Sequence, residues 1–153
     1  FEHKGLYRSV YQEVPVDYYT LPLGEASLLR QGDQITIITY GAGVHWALET
    51  LDKHTEIRAN VLDLRTLQPL DTKAIYDSVI RTGKVIILQE DSLFGGIASD
   101  ISAMVMENCF EYLDGPIKRV GSLETPIPFN AELEAQYLAK SRFEKDLLEL
   151  IAY

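Results

Sequence analysis

Short runs of apolar residues alternate with helical apolar stripes along most of this chain. The first run covers residues 34–40 and contains three isoleucines, which predicts a buried strand. Runs over residues 58–64, 85–88 and 117–120 predict three more strands. Because most of these runs are continuous rather than alternating, they are typical of strands that are covered on both faces.

Apolar positions at helical spacing lie between these strands and after the last one. Asp71 is a predicted N-cap of the second helix, and Gly83 is its predicted C-cap. Strands that alternate with helices of this length indicate an α/β fold with a parallel sheet. The apolar positions that mark the four helices are Val44, Ala47, Leu48 and Leu51; Ile75, Val79 and Ile80; Ile97, Ile101, Met104 and Val105; and Phe143, Leu147, Leu148 and Ile151.

The chain divides into an arm and one globular unit. Residues 1–20 lack a sustained helical period and carry Pro15. We interpret them as an arm that connects a preceding domain, with residues 1–4 as the last strand of that domain. Residues 21–153 then form one domain, in which residues 125–129 contain two prolines and form an extended loop.

Charge and cysteine content narrow the classes of function. There are 14 basic and 23 acidic residues, so the net charge is −9. An acidic surface repels phosphate backbones and anionic lipids, which disfavours nucleic acid and membrane partners. The single cysteine, Cys109, excludes an internal disulfide and lies on the apolar face of a helix, where a small buried side chain is expected.

Glycine-rich turns collect at the predicted carboxyl ends of the strands, where α/β sheets bind ligands. Gly41-Ala42-Gly43 and Gly95-Gly96 each precede a helix, and their amides could hold an anion. Tight turns need such glycines for backbone reasons alone, and this second interpretation is the stronger one. Glu90 and Asp91 are adjacent, so their side chains should point to opposite sides rather than cooperate as an acid and a base.

Other polar residues have structural interpretations. Asp63 is expected to fix the turn that follows its strand. His45 is expected to pack in its helix, and His3 and His54 lack the spacing of zinc ligands. From the residues alone we therefore predict no catalytic residue, no cofactor-binding residue and no metal ligand.

An ordered set of motifs resembles one family over essentially the whole chain. The set resembles the C-terminal domain of the β subunit of thiamin-diphosphate-dependent 2-oxo acid dehydrogenases, in the transketolase-like superfamily. The resemblance implies a three-layer α/β/α sandwich whose five-stranded, mostly parallel sheet has one antiparallel edge strand. The motifs are Phe1-Glu2-His3-Lys4 with Leu6-Tyr7-Arg8, Leu21-Pro22-Leu23-Gly24, Thr39-Tyr40-Gly41, residues 63–71, Gly95-Gly96-Ile97-Ala98-Ser99, Arg119-Val120-Gly121 and Thr125-Pro126-Ile127-Pro128-Phe129.

The resemblance implies that this domain is one part of a larger oxidoreductase. The parent would oxidatively decarboxylate a 2-oxo acid on thiamin diphosphate and acylate a lipoyl group. The branched-chain type is suggested by three local motifs: Val44-His45, Gly95-Gly96-Ile97-Ala98-Ser99 with Ile101-Ser102, and Cys109-Phe110. Thiamin diphosphate and magnesium would be held outside this domain, which is not expected to be active alone. The compartment would be the bacterial cytoplasm or the mitochondrial matrix.

The resemblance also implies protein partners. These are an α subunit or fused α region, a second β subunit and the basic peripheral-subunit-binding domain of the acyltransferase core. Within the turn Leu113-Asp114-Gly115-Pro116, Asp114 maps onto the family's docking carboxylate, and Tyr153 would add a terminal carboxylate. Gly115 stands where the family usually has alanine.

Two other functions remain open at this stage. One is a different thiamin enzyme of the transketolase superfamily, which would have no acyltransferase partner. The other is a stand-alone regulatory domain that binds a small molecule at the edge formed by Gly41 and Gly95.

Overall fold

Five strands and five helices make up the core of the computed structural model, which describes residues 3–153. The strands are β1 (Ser27–Arg30), β2 (Ile35–Thr39), β3 (Ala59–Asp63), β4 (Val85–Ser92) and β5 (Lys118–Ser122). The helices are α1 (Ala42–Lys53), α2 (Thr72–Thr82), α3 (Ile97–Cys109), α4 (Ala131–Tyr137) and α5 (Lys140–Ala152). Short 3-10 helices cover Lys4–Arg8 and Phe110–Tyr112.

The strands form one sheet in the order β1-β3-β2-β4-β5. The β2–β3, β2–β4 and β4–β5 pairs are parallel, whereas β1 pairs with β3 in the antiparallel direction. This arrangement confirms the mostly parallel five-stranded sheet with one antiparallel edge strand.

Apolar cores lie on both faces of the sheet. Ile35 and Ile37 of β2 pack on one face with α1 and α5, and Ile38 packs on the other face with α2 and α3. Successive strand residues point to opposite faces, so a strand that is buried on both sides needs an unbroken apolar run. All five residues of β2 are buried, which explains why its sequence does not alternate.

Local hydrogen bonds fix the ends of α2 as predicted. The Asp71 side chain accepts a hydrogen bond from the Ala74 amide at 3.0 Å, and it therefore caps the first turn. Gly83 follows the last turn with φ 67°, in the left-handed region that favours glycine, and its amide donates to the Val79 carbonyl. Both predicted caps are confirmed.

Three features differ from expectation or were not foreseen. The prediction of a strand at residues 1–4 is wrong for Lys4, which begins a 3-10 helix, while Phe1 and Glu2 lie outside the described residues. The Leu6 amide donates to the His3 carbonyl at 3.0 Å, at the start of this helix. β4 also runs to Ser92, four residues beyond its apolar run, and the short helix α4 carries no apolar stripe that predicts it.

Candidate functional site

The carboxyl ends of β2, β3 and β4 border a cavity of about 790 Å³. After β2 the chain passes through α1 to β3, and after β4 it passes through α3 to β5 on the other side. The connections therefore diverge between β2 and β4, which is the position where open α/β sheets bind ligands. This carboxyl-end cavity is the first candidate site.

Two polar side chains of this cavity contact each other. His3 Nε2 lies 2.7 Å from Glu90 Oε2, which joins the arm to β4. Tyr40 has a raised pKa because it is half-buried and because Asp91 and Glu90 add negative charge nearby. The Asp63 carboxylate accepts the Arg65 amide at 3.0 Å, which confirms its predicted role in the following turn.

Local geometry accounts for the two glycines at the start of α1, the N-cap Gly41 and Gly43 in the first turn. Gly41 has φ 56°, which favours glycine. Gly43 sits so close to Thr39 that a Cβ would overlap the Thr39 hydroxyl oxygen. The backbone conformation therefore explains Gly41, and the close approach to Thr39 explains Gly43.

A buried glutamine, which the sequence did not single out, occupies the start of α3. Gln89 Oε1 accepts the Ala98 amide at 2.8 Å, and its Nε2 donates to the Ser92 carbonyl at 2.5 Å. A Cβ at Gly96 would overlap the Gln89 amide nitrogen. A polar residue directly after the apolar run of β4 is the one sequence signal that could have identified this cap. The Gln89 side chain thus fills the position where an anion would meet the α3 amides.

Glu90 and Asp91 point away from each other, as predicted from their adjacency. Glu90 lines the carboxyl-end cavity, whereas Asp91 lines a separate groove with Phe94 and Leu123. Asp91 Oδ1 accepts the amide of Ser92 at 2.7 Å. These two carboxylates do not converge on one point where a substrate atom could sit.

The histidines and the cysteine are distributed over the fold. His54 lies 2.7 Å from Glu144 and 3.3 Å from Glu56, and the hydrogen bond to Glu144 is the main cause of its raised pKa. Cys109 is buried, and burial raises the pKa of its thiol. Within residues 3–153, no three His, Cys, Asp or Glu side chains are grouped so that they could hold a metal ion.

At the opposite, amino-terminal edge of the sheet, the Asp114 turn packs against Gly83, the C-cap of α2. The Asp114 amide donates to the Gly83 carbonyl at 2.8 Å. A Cβ at Gly83 would overlap the Asp114 carboxylate, so glycine is needed here both for its φ and for this close approach. The Asp114 residue itself is exposed.

Tyr153 lies against the same turn. A Cβ at Gly115 would stand 3.0 Å from Tyr153 Cδ1, a tight contact that alanine would have to relieve by displacing the ring. Tyr153 remains 76% exposed. Lys84 Nζ donates to the Ile151 carbonyl at 2.9 Å and holds the end of α5 at this edge. The two predicted docking residues, which are 39 positions apart in sequence, are therefore neighbours in the fold.

Fold and topology define a three-layer, doubly wound α/β domain. The chain belongs to the family described as "Transketolase, C-terminal domain", whose model matches residues 24–142. A solved structure of a split-gene transketolase, an inactive β4 tetramer, has a TM-score of 0.74 and 24% identity, with 92% of this chain and 46% of that chain covered. That likeness supports the fold.

Curated relatives include β subunits of several oxidoreductases. The 2-oxoisovalerate dehydrogenase subunit beta of Bacillus subtilis is 41% identical over 157 residues, which cover 100% of this chain and 48% of the relative. The acetoin:2,6-dichlorophenolindophenol oxidoreductase subunit beta of the same organism is 45% identical, with 90% and 41% covered. Its pyruvate dehydrogenase E1 component subunit beta is 41% identical, with 97% and 45% covered. The chain thus spans about half the length of these relatives.

None of the helices in residues 3–153 has the length and hydropathy needed to cross a bilayer.

Proposed function

We propose that this chain is the C-terminal domain of the β subunit, or of a fused α–β chain, of a thiamin-diphosphate-dependent 2-oxo acid dehydrogenase. The parent enzyme oxidatively decarboxylates a branched-chain 2-oxo acid or pyruvate and acylates a lipoyl group. The domain contributes dimer contacts and a docking surface for the acyltransferase core. Its compartment is the bacterial cytoplasm or the mitochondrial matrix.

One observation carries this proposal: identity to a 2-oxoisovalerate dehydrogenase β subunit extends over the entire chain. The match to a pyruvate dehydrogenase β subunit is equal in identity, so the substrate preference rests on the local motifs alone. Because the chain spans 48% of the first relative, the proposal assigns the chemistry to the parts of the parent enzyme beyond this chain.

The residues described here do not fit thiamin diphosphate and its magnesium ion. A magnesium ion that holds a diphosphate takes oxygen ligands from one or two carboxylates. Glu90 is already engaged by His3, and Asp91 faces a different groove. We therefore derive no step of the reaction through this domain.

Contacts at the amino-terminal edge support docking through Asp114 and Tyr153. The Asp114 amide is anchored to Gly83, and the Tyr153 ring packs beside Gly115, so two segments present one exposed surface. A basic binding domain would contact the Asp114 carboxylate. The chain has a net charge of −9, so the charges of the two partners would be complementary. Such complementarity mainly accelerates association, and salt weakens it.

Exposed apolar side chains support burial against other subunits. Tyr11 and Tyr18 in the arm are 86% and 94% exposed, and Phe94 and Phe129 beyond the carboxyl-terminal edge are 85% and 106% exposed. Aromatic residues at such exposure are typical of contact surfaces. We assign them to contacts with the second β subunit and with the α subunit or fused α region.

An Asp114→Lys variant of the parent enzyme tests the docking role. We expect the Kd for the isolated peripheral-subunit-binding domain to rise at least about tenfold, because a charge-assisted contact becomes a like-charge repulsion. Decarboxylation with an artificial electron acceptor should stay near the wild-type rate. Binding can be measured by titration calorimetry at two salt concentrations.

Glu25→Lys is a matched control, because Glu25 is also exposed and its substitution makes the same charge change at the opposite edge of the sheet. The control should bind like the wild type. Loss of decarboxylation together with docking in Asp114→Lys would count against a dedicated docking role, as would an unchanged Kd.

Acetoin is a second candidate substrate for the parent enzyme. It is favoured by the 45% identity to an acetoin:2,6-dichlorophenolindophenol oxidoreductase subunit beta. Assaying the parent enzyme with 3-methyl-2-oxobutanoate, pyruvate and acetoin, with a dye as electron acceptor, separates the candidates. A preference of kcat/KM for acetoin would replace the 2-oxo acid in the proposal.

A further inference from the structure

The turn that carries Asp114 has a chemically reactive sequence. Asp114 is the only aspartate of the chain that is followed by glycine. The backbone nitrogen of such a glycine can attack the aspartate side chain, because glycine has no Cβ that would shield the nitrogen. The Asp114-Gly115 linkage lies between the 3-10 helix Phe110–Tyr112 and β5, outside the helices and strands of the described residues. Its backbone is therefore not held in a helical or sheet ladder.

Both reacting groups of this linkage are available. Asp114 is exposed, and its carboxylate makes no hydrogen bond or ion pair with another described residue. The Gly115 amide also makes no hydrogen bond within residues 3–153, so a reaction at its nitrogen breaks no such contact. The carboxylate lies beside the Gly83 backbone, and rotation about the Cα–Cβ bond of Asp114 turns it toward Gly115.

Asp77 provides the contrast within the same chain. It is also exposed and precedes a small residue, Ser78, but both residues lie inside α2. Attack by the following nitrogen gives a ring whose nitrogen carries no hydrogen. Inside a helix this removes a backbone donor from the hydrogen-bond ladder, which costs stability. At Asp114 the same reaction has no such cost.

We propose that Asp114-Gly115 is a site of spontaneous modification, at which Asp114 is converted to isoaspartate. The Gly115 nitrogen attacks Asp114 Cγ and closes a five-membered succinimide ring, while the amide hydrogen and the carboxyl hydroxyl group leave as water. Water then adds to one ring carbonyl and breaks its bond to the nitrogen. Addition at the side-chain carbonyl restores aspartate, whereas addition at the main-chain carbonyl gives isoaspartate, in which the chain runs through Cβ. The two steps release and consume one water, so the mass of the chain is unchanged.

Isoaspartate lengthens the main chain by one carbon between two anchored points. On one side, the Asp114 amide donates to the Gly83 carbonyl at 2.8 Å. On the other side, Gly115 lies so close to Tyr153 that a Cβ would stand 3.0 Å from the ring carbon Cδ1. The extra carbon must displace at least one of these contacts, and the carboxylate, now on Cα, loses one carbon of reach. Its effect on docking rests on the proposed function, whereas the modification itself does not.

Ageing the 153-residue chain for several days at neutral pH and physiological temperature tests the site. Methyl transfer from labelled S-adenosylmethionine by a protein isoaspartate methyltransferase should increase with time. Electron-transfer fragmentation of the digested chain should locate the isoaspartate at residue 114. Asp77 is the internal control and should remain unmodified, and circular dichroism checks that the chain stays folded.

Two variants test the chemistry. Gly115→Ala should slow isoaspartate formation several-fold, because a methyl group then shields the attacking nitrogen. Asp114→Glu should abolish it, since the six-membered ring that glutamate would form closes far more slowly, and this variant leaves the Gly115–Tyr153 contact untouched. The absence of isoaspartate at residue 114, equal accumulation at Asp77, or an unchanged rate in Gly115→Ala would overturn the proposal.

The link to docking has a separate readout. A saturating amount of the isolated peripheral-subunit-binding domain should slow isoaspartate formation several-fold, because docking engages the Asp114 carboxylate in a charge-assisted contact. The purified isoaspartate form should bind that domain several-fold more weakly than the fresh chain does. Isoaspartate that forms equally fast with and without the binding domain would count against docking through Asp114, but not against the modification.

Discussion

The two edges of the sheet differ in how their polar groups are satisfied. At the carboxyl-terminal edge, Glu90 contacts His3 beside a cavity of about 790 Å³, and the buried Gln89 side chain uses both of its polar atoms, one to cap α3 and one to bond the Ser92 carbonyl. At the amino-terminal edge, the buried Asn60 side chain accepts the Gly32 amide with its oxygen, while its nitrogen has no hydrogen-bond partner among the described residues.

The described residues therefore satisfy both polar atoms of the Gln89 side chain but only one of the Asn60 side chain. At the carboxyl-end cavity, the Glu90 carboxylate is held by His3. His3 Nδ1 also lacks a partner there, but the His3 side chain is 33% exposed and can reach water after a small movement. Asn60 is 1% exposed, so no comparably small movement brings its Nδ2 to water.

Replacing each buried amide by an apolar side chain of similar size is the strongest test of this comparison. Gln89→Met should lower the free energy of unfolding by about 3 kcal/mol, because the buried Ala98 amide and the Ser92 carbonyl both lose their partner. Asn60→Leu should lower the free energy of unfolding by about 1 kcal/mol or less. Only the Gly32 amide loses a partner, and the substitution also removes Asn60 Nδ2, a buried donor without a partner among the described residues. Urea denaturation measures both values.

Equal costs for the two variants would contradict the comparison. The m-values should match that of the wild type, since neither substitution changes the surface exposed on unfolding. A lower m-value in Gln89→Met would instead indicate that α3 has detached in the folded state.

Features encoded by neighbouring residues could be predicted from the sequence. The apolar runs of β2, β3 and β4 and the caps Asp71 and Gly83 were predicted, because burial on both faces and helix termini leave local patterns. The contact between Asp114 and Gly83 was not predicted, since it joins residues 31 positions apart. The sequence indicated that both have turn geometry, but not that one fits beside the other.

Features that depend on pairing between distant segments could not be predicted from the pattern. β1 has no fully buried residue, so it leaves no apolar run, and its presence followed only from the family resemblance. Gln89 and Asn60 are polar residues in otherwise apolar strands. Nothing nearby in sequence shows that both polar atoms of Gln89 have hydrogen-bond partners whereas Asn60 Nδ2 has none among the described residues. That distinction depends on Gly32, Ala98 and Ser92, which only the fold brings into contact.

A smaller effect is expected where the arm meets the carboxyl-terminal edge. Glu90→Ala should speed amide exchange at Leu6, Ser9 and Val10 several-fold, because the His3 contact holds the first 3-10 helix against β4. Global stability should change by less than about 1 kcal/mol, since the pair is partly exposed and solvent screens it. Hydrogen–deuterium exchange with mass spectrometry measures both the local amide exchange in the arm and the global stability. Asp91→Ala is the neighbouring control, and equal exchange in the two variants would show that Glu90 does not anchor the arm.

The smallest expected effect is a pH dependence of the free energy of unfolding. It arises from His54, which lies at the amino-terminal edge of the sheet. His54 follows α1 and contacts Glu144 of α5, and that hydrogen bond raises its folded-state pKa above 6.5. Protonated His54 therefore stabilises the fold fully below the unfolded pKa, and this stabilisation is lost as the pH rises through the folded pKa.

Between about pH 6 and 8, the stability of the wild type should therefore fall relative to that of His54→Gln. Urea denaturation across this range, at low and high salt, provides the measurement, and salt should flatten the difference because the pair is near the surface. His45→Gln on the same helix is the control, since His45 has no ion pair with a described residue. Parallel curves for wild type and His54→Gln would mean that the α1–α5 contact does not depend on the charge of His54.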